Sequence, residues 1–263
     1  MNRITITTAL TAALILVVSI FGTPALSAEP FSVDLSIYEG KDEVTQDFTQ
    51  TLPNGETIPA TVHIYQSREN GRECMVSETE SEILYVKSCV DLEKGRAVST
   101  RIEERGYDEA EYTITYTSDS VTVEERTKGD KVREKTYDNN RVLDGYILTL
   151  LLSAFDYEEL DNNPKKFKFL DHKDPNLISI TLELIDSREP YEVEDETVEA
   201  VHYRTKVNNF VISLFAKPNH FYYGRRDKAP VMLEYEGSDP SSIRKRIRYK
   251  LSDESYFETL DVF

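Results

Sequence analysis

The chain has 263 residues, 48 of them Asp or Glu against 31 Lys or Arg, for a formal charge of −17 and a pI near 4.7. That balance argues against nucleic acid as a partner and against adhesion to anionic lipid surfaces, since basic side chains carry both kinds of affinity. The length suits one domain, or two small ones in close contact.

At the amino terminus Arg3 precedes an apolar run from Ala9 to Phe21. Gly22 and Pro24 then break any helix, and the small-residue stretch Ala25-Leu26-Ser27-Ala28 leads to Glu29. This order reads as a signal peptide over 1–28, cut after Ala28 or Ser27. The apolar run is shorter than the ~20 residues of a spanning helix, and no cysteine follows it to be acylated. The expectation is an exported protein of residues 29–263, placed in the periplasm or secreted beyond it, and not an integral membrane protein.

The mature part opens with alternation. Val33, Leu35 and Ile37 interleave with Ser32, Asp34 and Ser36, and Val62 and Ile64 follow a Pro53-Asn54-Gly55 turn, a pattern that predicts half-buried strands. Cys74 and Cys89 flank a polar turn predicted at Glu78–Glu82. That placement sets them opposite each other on paired strands, as a disulfide closing a loop of about 15 residues. Tyr112, Ile114 and Tyr116 share one face of the next strand, and Val121 and Val123 begin another, which ends at Lys128-Gly129-Asp130. The first half reads as a β meander.

Leu143, Ile147, Leu150, Leu151 and Ala154 then recur at helical spacing behind the capping candidates Asp138, Asn139 and Asn140. They predict one amphipathic helix near 141–156, either covering a sheet or plugging a cavity. Strands resume at Phe167 and Phe169 and continue with Ile178, Ile180, Leu182 and Leu184. Further strands are expected at Phe210, Ile212 and Leu214, at Phe221-Tyr222-Tyr223, at Val231, Leu233 and Tyr235, and at Ile243, Ile247, Tyr249 and Leu251. The fold class expected is mainly β: a strongly curved antiparallel sheet, or unclosed β-barrel, with one covering helix in a single domain.

The helix start Asp144-Gly145-Tyr146, the strand Tyr222-Tyr223-Gly224 and the run Ala229-Pro230-Val231-Met232-Leu233-Glu234-Tyr235-Glu236-Gly237 resemble an uncharacterised family of Gram-negative periplasmic proteins. The resemblance implies a fold similar to the lipoprotein carriers of the Lol system, an unclosed β-barrel around an apolar cavity.

Catalytic patterns are missing from the sequence. His63, His172, His202 and His220 are scattered, and there is no His-Glu-x-x-His, Gly-x-Ser-x-Gly or phosphate-cradling glycine loop, so neither an enzyme nor a cofactor or metal is expected. The acidic run Glu192, Glu194, Asp195 and Glu196 reads as a solvated turn. Arg244, Arg246, Arg248 and Lys250 share one strand face, either as a stripe for an anion or as cross-strand partners of Glu234 and Glu236. Leu143, Ile147, Leu151, Phe210, Tyr222, Tyr223 and Tyr235 are the candidate ligand-binding residues, with an ordinary core as their alternative role. Two functions stay open: a carrier-like protein holding a lipid or lipidated partner, or an assembly protein contacting other envelope proteins.

Overall fold

The computed structural model describes residues 32–40, 43–69, 71–105, 110–127, 131–139, 141–173, 176–209, 213, 216–224, 231–239 and 242–260. The expected signal peptide and the segment holding Phe210, Ile212 and Leu214 lie outside them. The first half forms β1 (Val44–Thr51), β2 (Thr57–Glu69), β3 (Arg72–Ser81), β4 (Leu84–Asp91), β5 (Arg96–Glu104), β6 (Ala110–Tyr116), β7 (Ser120–Thr127) and β8 (Lys131–Asp138). The short β9 (Val142–Leu143) leads into helix α1 (Gly145–Ala154). The second half forms β10 (Lys165–Leu170), β11 (Leu177–Val193), β12 (Glu196–Val207), β13 (Asn219–Gly224), β14 (Met232–Asp239) and β15 (Ser242–Leu251), followed by helix α2 (Asp253–Leu260).

All fifteen strands join one sheet, in the order β8 to β1, then β15 down to β9. Strands paired in the sheet are consecutive in sequence except at one seam, where β1 pairs antiparallel with β15 through Phe48↔Leu251 and Gln50↔Tyr249. That seam places both sheet edges, β8 and β9, only four residues apart in the chain. The sheet therefore starts and stops where α1 departs, and it is unclosed there. All pairings are antiparallel except β9 with β10, which α1 connects.

Alternation sets the inner face. β1 buries Val44, Gln46, Phe48 and Gln50 and exposes the residues between them; β6 buries Tyr112, Ile114 and Tyr116. Of these, Val44, Tyr112, Ile114 and Tyr116 share one apolar cluster with α1. Of its ten residues, Ile147, Leu148, Leu150, Leu151, Leu152, Ser153 and Ala154 are buried. A helix apolar on nearly all sides belongs inside a fold, and the curved sheet packs around α1, as expected of an unclosed barrel with one helix. A second cluster gathers Phe48, Val193, Leu233 and Leu251 around Tyr256 of α2.

Several expectations are corrected. Residues 33–37 form no strand: Ser36–Tyr38 is a 3₁₀ turn, because the Asp34 carboxylate accepts the Ser36 N–H at 2.9 Å and turns the chain. Helix α1 starts at Gly145, not near 141, and its cap is Asp144 rather than Asp138, Asn139 or Asn140; Val142 and Leu143 belong to β9. A second helix, α2, and the strand β12 stand where no element was expected. On β14 the alternation of Val231, Leu233 and Tyr235 breaks at a bulge, since Tyr222 pairs with Glu234 but Tyr223 with Met232.

Cys74 and Cys89 are bonded, but not as directly opposite residues. Cys74 faces Asp91 and Cys89 faces Val76, so the bridge runs diagonally between β3 and β4, and the turn lies at Glu82-Ile83 because β3 runs through Glu78 to Ser81. Replacing both cysteines by alanine is expected to lower unfolding free energy by roughly 3 kcal/mol, the chain-entropy value for a 15-residue loop. Urea unfolding checks this, and an unchanged midpoint would show that the link constrains nothing.

Candidate functional site: an apolar cleft beside helix α1

Between α1 and the inner faces of β10 to β15 the packing leaves a cleft of about 130 Å³. Tyr146 and Leu148 form its helical wall. Phe169, Ile178, Ile180, Val207, Phe221, Met232, Ile247 and Tyr249 supply the sheet wall, with Val62 of β2 beyond the seam. Asp171, Lys206, Lys217, Asn219 and Ser238 bring polar atoms to the same cleft. Tyr235 also lines it, and its position depends on a glycine. The Tyr235 ring lies across Gly237, where an added Cβ would sit 2.0 Å from the phenol oxygen, and the hydroxyl donates to the Ser238 carbonyl at 3.0 Å.

The helical wall is fixed by hydroxyl groups. Asp144, 1% exposed, accepts the Tyr146 and Ile147 N–H groups at one carboxylate oxygen, at 2.8 and 3.0 Å. The other oxygen accepts Thr100 Oγ1–H at 2.7 Å and Tyr116 O–H at 2.8 Å. Tyr223 donates to the Thr149 carbonyl at 2.7 Å. Ser153 donates to Leu150 O, which leaves Tyr38 as donor in its 2.6 Å bond to Ser153 Oγ. Burial pushes Tyr38 up to about 12. It raises Tyr116 well above the usual phenol range, with the Asp144 charge adding to the effect, so these groups remain neutral donors. Strands β5, β6 and β13 and the 3₁₀ turn thus hold α1 from its first turn to its last.

The candidate residues distribute unevenly around this cleft. Tyr235 lines it, whereas Ile147, Leu151 and Tyr223 are sealed in the core around α1. Leu143 borders a different cavity. Tyr222 stacks on His202 with ring centroids 4.3 Å apart. Phe210 is outside the described residues. Leu148, Met232 and Ile247 were missed because a cleft wall and a packed core carry the same apolar alternation; only the bulge on β14, invisible in sequence, turns Met232 inward.

The charged groups of β11 to β15 are largely matched to one another. Arg248 forms a bidentate pair with Glu234 at 2.8 and 2.7 Å, Tyr191 donates to the same carboxylate at 2.8 Å, and Arg246 pairs with Glu236 at 3.2 Å. The Arg246/Arg248 part of the basic stripe is therefore cross-strand pairing. The Arg244 side chain lies outside the described residues. Among the described residues no three His, Cys, Asp or Glu side chains converge as metal ligands, and no helix is long and apolar enough to cross a membrane.

Two histidines scattered in sequence do meet. His202 Nδ1 contacts Glu189 Oε2 at 2.5 Å and His202 Nε2 contacts His220 Nδ1 at 2.9 Å. Burial, then the neighbouring His202, pushes the His220 pKa below its ordinary 6.5. The unfolded chain therefore binds a proton at His220 more readily than the folded one, and stability is expected to fall as pH drops through 6.5. Glu104 and Glu183 are lowered too: burial raises them, but His172 and Lys173, or Lys206 and Arg204, outweigh it. Their contribution is lost only further down, as pH falls below 4.5. Urea midpoints at pH 7.5 and 5.5 should drop for the parent and less for His220→Asn; equal drops would refute the assignment.

No protein-family profile and no curated protein sequence matches the chain. Among solved structures it is similar to a β-barrel-like protein of a domain of unknown function, DUF1849, from Brucella abortus, at a TM-score of 0.50 and 11% identity, over 80% of this chain and 95% of that one. At that identity the likeness concerns the fold alone. The chain is thus a mainly β protein with an unclosed, β-barrel-like sheet.

Proposed function

We propose that the chain is an exported binding or carrier-like protein, shielding a lipid chain or the acyl group of a lipidated partner in its open β-barrel-like interior, without catalysis. The observation that carries the reading is the apolar cleft of about 130 Å³ beside a helix fixed along its length. A rigid concave apolar wall with a few polar groups is the usual form of a small-molecule site. The Arg3 and Ala9–Phe21 pattern ahead of Ala28 supports export to the periplasm, and an unclosed sheet around a helix is consistent with a fold similar to that of the Lol-type lipoprotein carriers.

Native mass spectrometry of protein purified from its own envelope compartment, with organic extraction of what dissociates, tests the reading. A stoichiometric lipid supports it. A clean apo mass that stays unchanged after incubation with envelope lipids overturns it in favour of an assembly role. One observation favours that second reading: β8 pairs only with β7 among the described strands and carries the exposed Val132, and such an edge can accept a strand from another protein.

A further inference from the structure

A second cavity, of about 260 Å³, lies where the chain ends of β3 to β6 meet the opening of the sheet. Arg72, Lys94 and Arg96 reach it, against a single carboxylate, Asp91; Tyr116, Thr117, Ser118 and Asn139 add polar surface. In a chain of charge −17, three cations line this cavity against one acid.

Asp91 is already engaged: its side chain accepts the Lys94 N–H at 2.9 Å and its carbonyl accepts the Gly95 N–H at 2.8 Å. Neither the Arg72 guanidinium nor the Lys94 ammonium forms an ion pair among the described residues, in contrast to Arg246 and Arg248. The loop that carries Lys94 and Arg96 is also fixed in shape. Gly95 has φ +58°, any Cβ there would strike the Val33 carbonyl, and Val33 N–H donates to the Gly95 carbonyl at 3.0 Å. The cavity far exceeds the ~10–15 Å³ that one water needs. The geometry points to a binding site for a phosphate or carboxylate group here, separate from the apolar cleft. The planar fork of Arg72 can donate to two anion oxygens, and the Lys94 ammonium adds a point charge. The anion group belongs either to a small hydrophilic molecule or to a lipid headgroup.

Amide chemical shifts of the purified chain, titrated with inorganic phosphate against chloride at matched ionic strength, test the site. Phosphate should give saturable shifts at residues 91–97 and 116–118, and chloride none. Arg72→Ala combined with Lys94→Ala should weaken binding at least tenfold with an unchanged melting temperature, because both side chains are exposed. Asp91→Asn, which keeps an acceptor for Lys94 N–H, should tighten it severalfold. Flotation with phosphatidylglycerol vesicles separates the sources: phosphate-competed flotation assigns a headgroup, and phosphate shifts without flotation assign a free anion. Equal shifts with chloride, an unaltered titration in the double variant, or flotation that phosphate does not compete would each overturn the site.

Discussion

Asp144→Ala is expected to cost about 3–5 kcal/mol of folding stability. Loss of an N-cap alone costs about 1 kcal/mol, but here the carboxylate also receives two buried hydroxyls, Thr100 and Tyr116. Truncation removes the carboxylate acceptor of both hydroxyls and of two helix N–H groups in a site 1% exposed, leaving Thr100 only the 3.5 Å contact with Ser88 Oγ, and each buried unsatisfied polar group costs about 1–3 kcal/mol, less than additively. Asp144→Asn should cost clearly less, because its amide oxygen still accepts from Tyr146 and Ile147 and the hydroxyls can reorient. Equilibrium unfolding in urea compares the two. Equal losses would mean that the charge, not the cap, holds the helix; a loss below 1 kcal/mol in Asp144→Ala would mean that α1 is held by apolar packing alone.

Asp144 also shows how far local pattern reaches. The apolar spacing of Ile147, Leu150, Leu151 and Ala154 marks a helix, and the polar run Asp138-Asn139-Asn140 looks like its start. The true cap sits four residues on, because Val142 and Leu143 pair in parallel with Lys168 and Phe169, a contact more than twenty residues away. β12 is a different case. Val201, Tyr203 and Val207 belong to the core and alternate with His202, Arg204 and Lys206, of which His202 and Arg204 meet Glu189 and Glu183 on β11, so the signal for this strand was present in the sequence.

The mainly β class was legible because strands such as Tyr112–Tyr116 alternate strictly, and a single helix between two β halves implies a sheet bent around it. The β1–β15 seam was not legible, since nothing in Phe48 or Leu251 names the other. The cleft was hidden for a related reason. Tyr222 and Tyr223 are adjacent and equally aromatic, yet pleating sends one against His202 and the other into the core. Met232 enters the cleft wall only through a register shift of one residue.

Filling the cleft gives the largest expected effect on ligand retention. An apolar cavity of about 150 Å³ holds one benzene ring, so one of about 130 Å³ holds about five chain carbons. At about 0.8 kcal/mol per buried methylene they contribute about 4 kcal/mol, near a thousandfold in affinity. Val207→Trp and Met232→Glu, at half-buried positions on β12 and β14, should each remove that contribution, the first by volume and the second by placing a carboxylate against the chain. Retention of a fluorescent fatty acid, compared with the urea midpoint of each variant, is the measurement. Tight binding in both variants would move the ligand out of this cleft. Loss in Met232→Glu alone would show a site wider than the cleft, one that tolerates bulk but not charge.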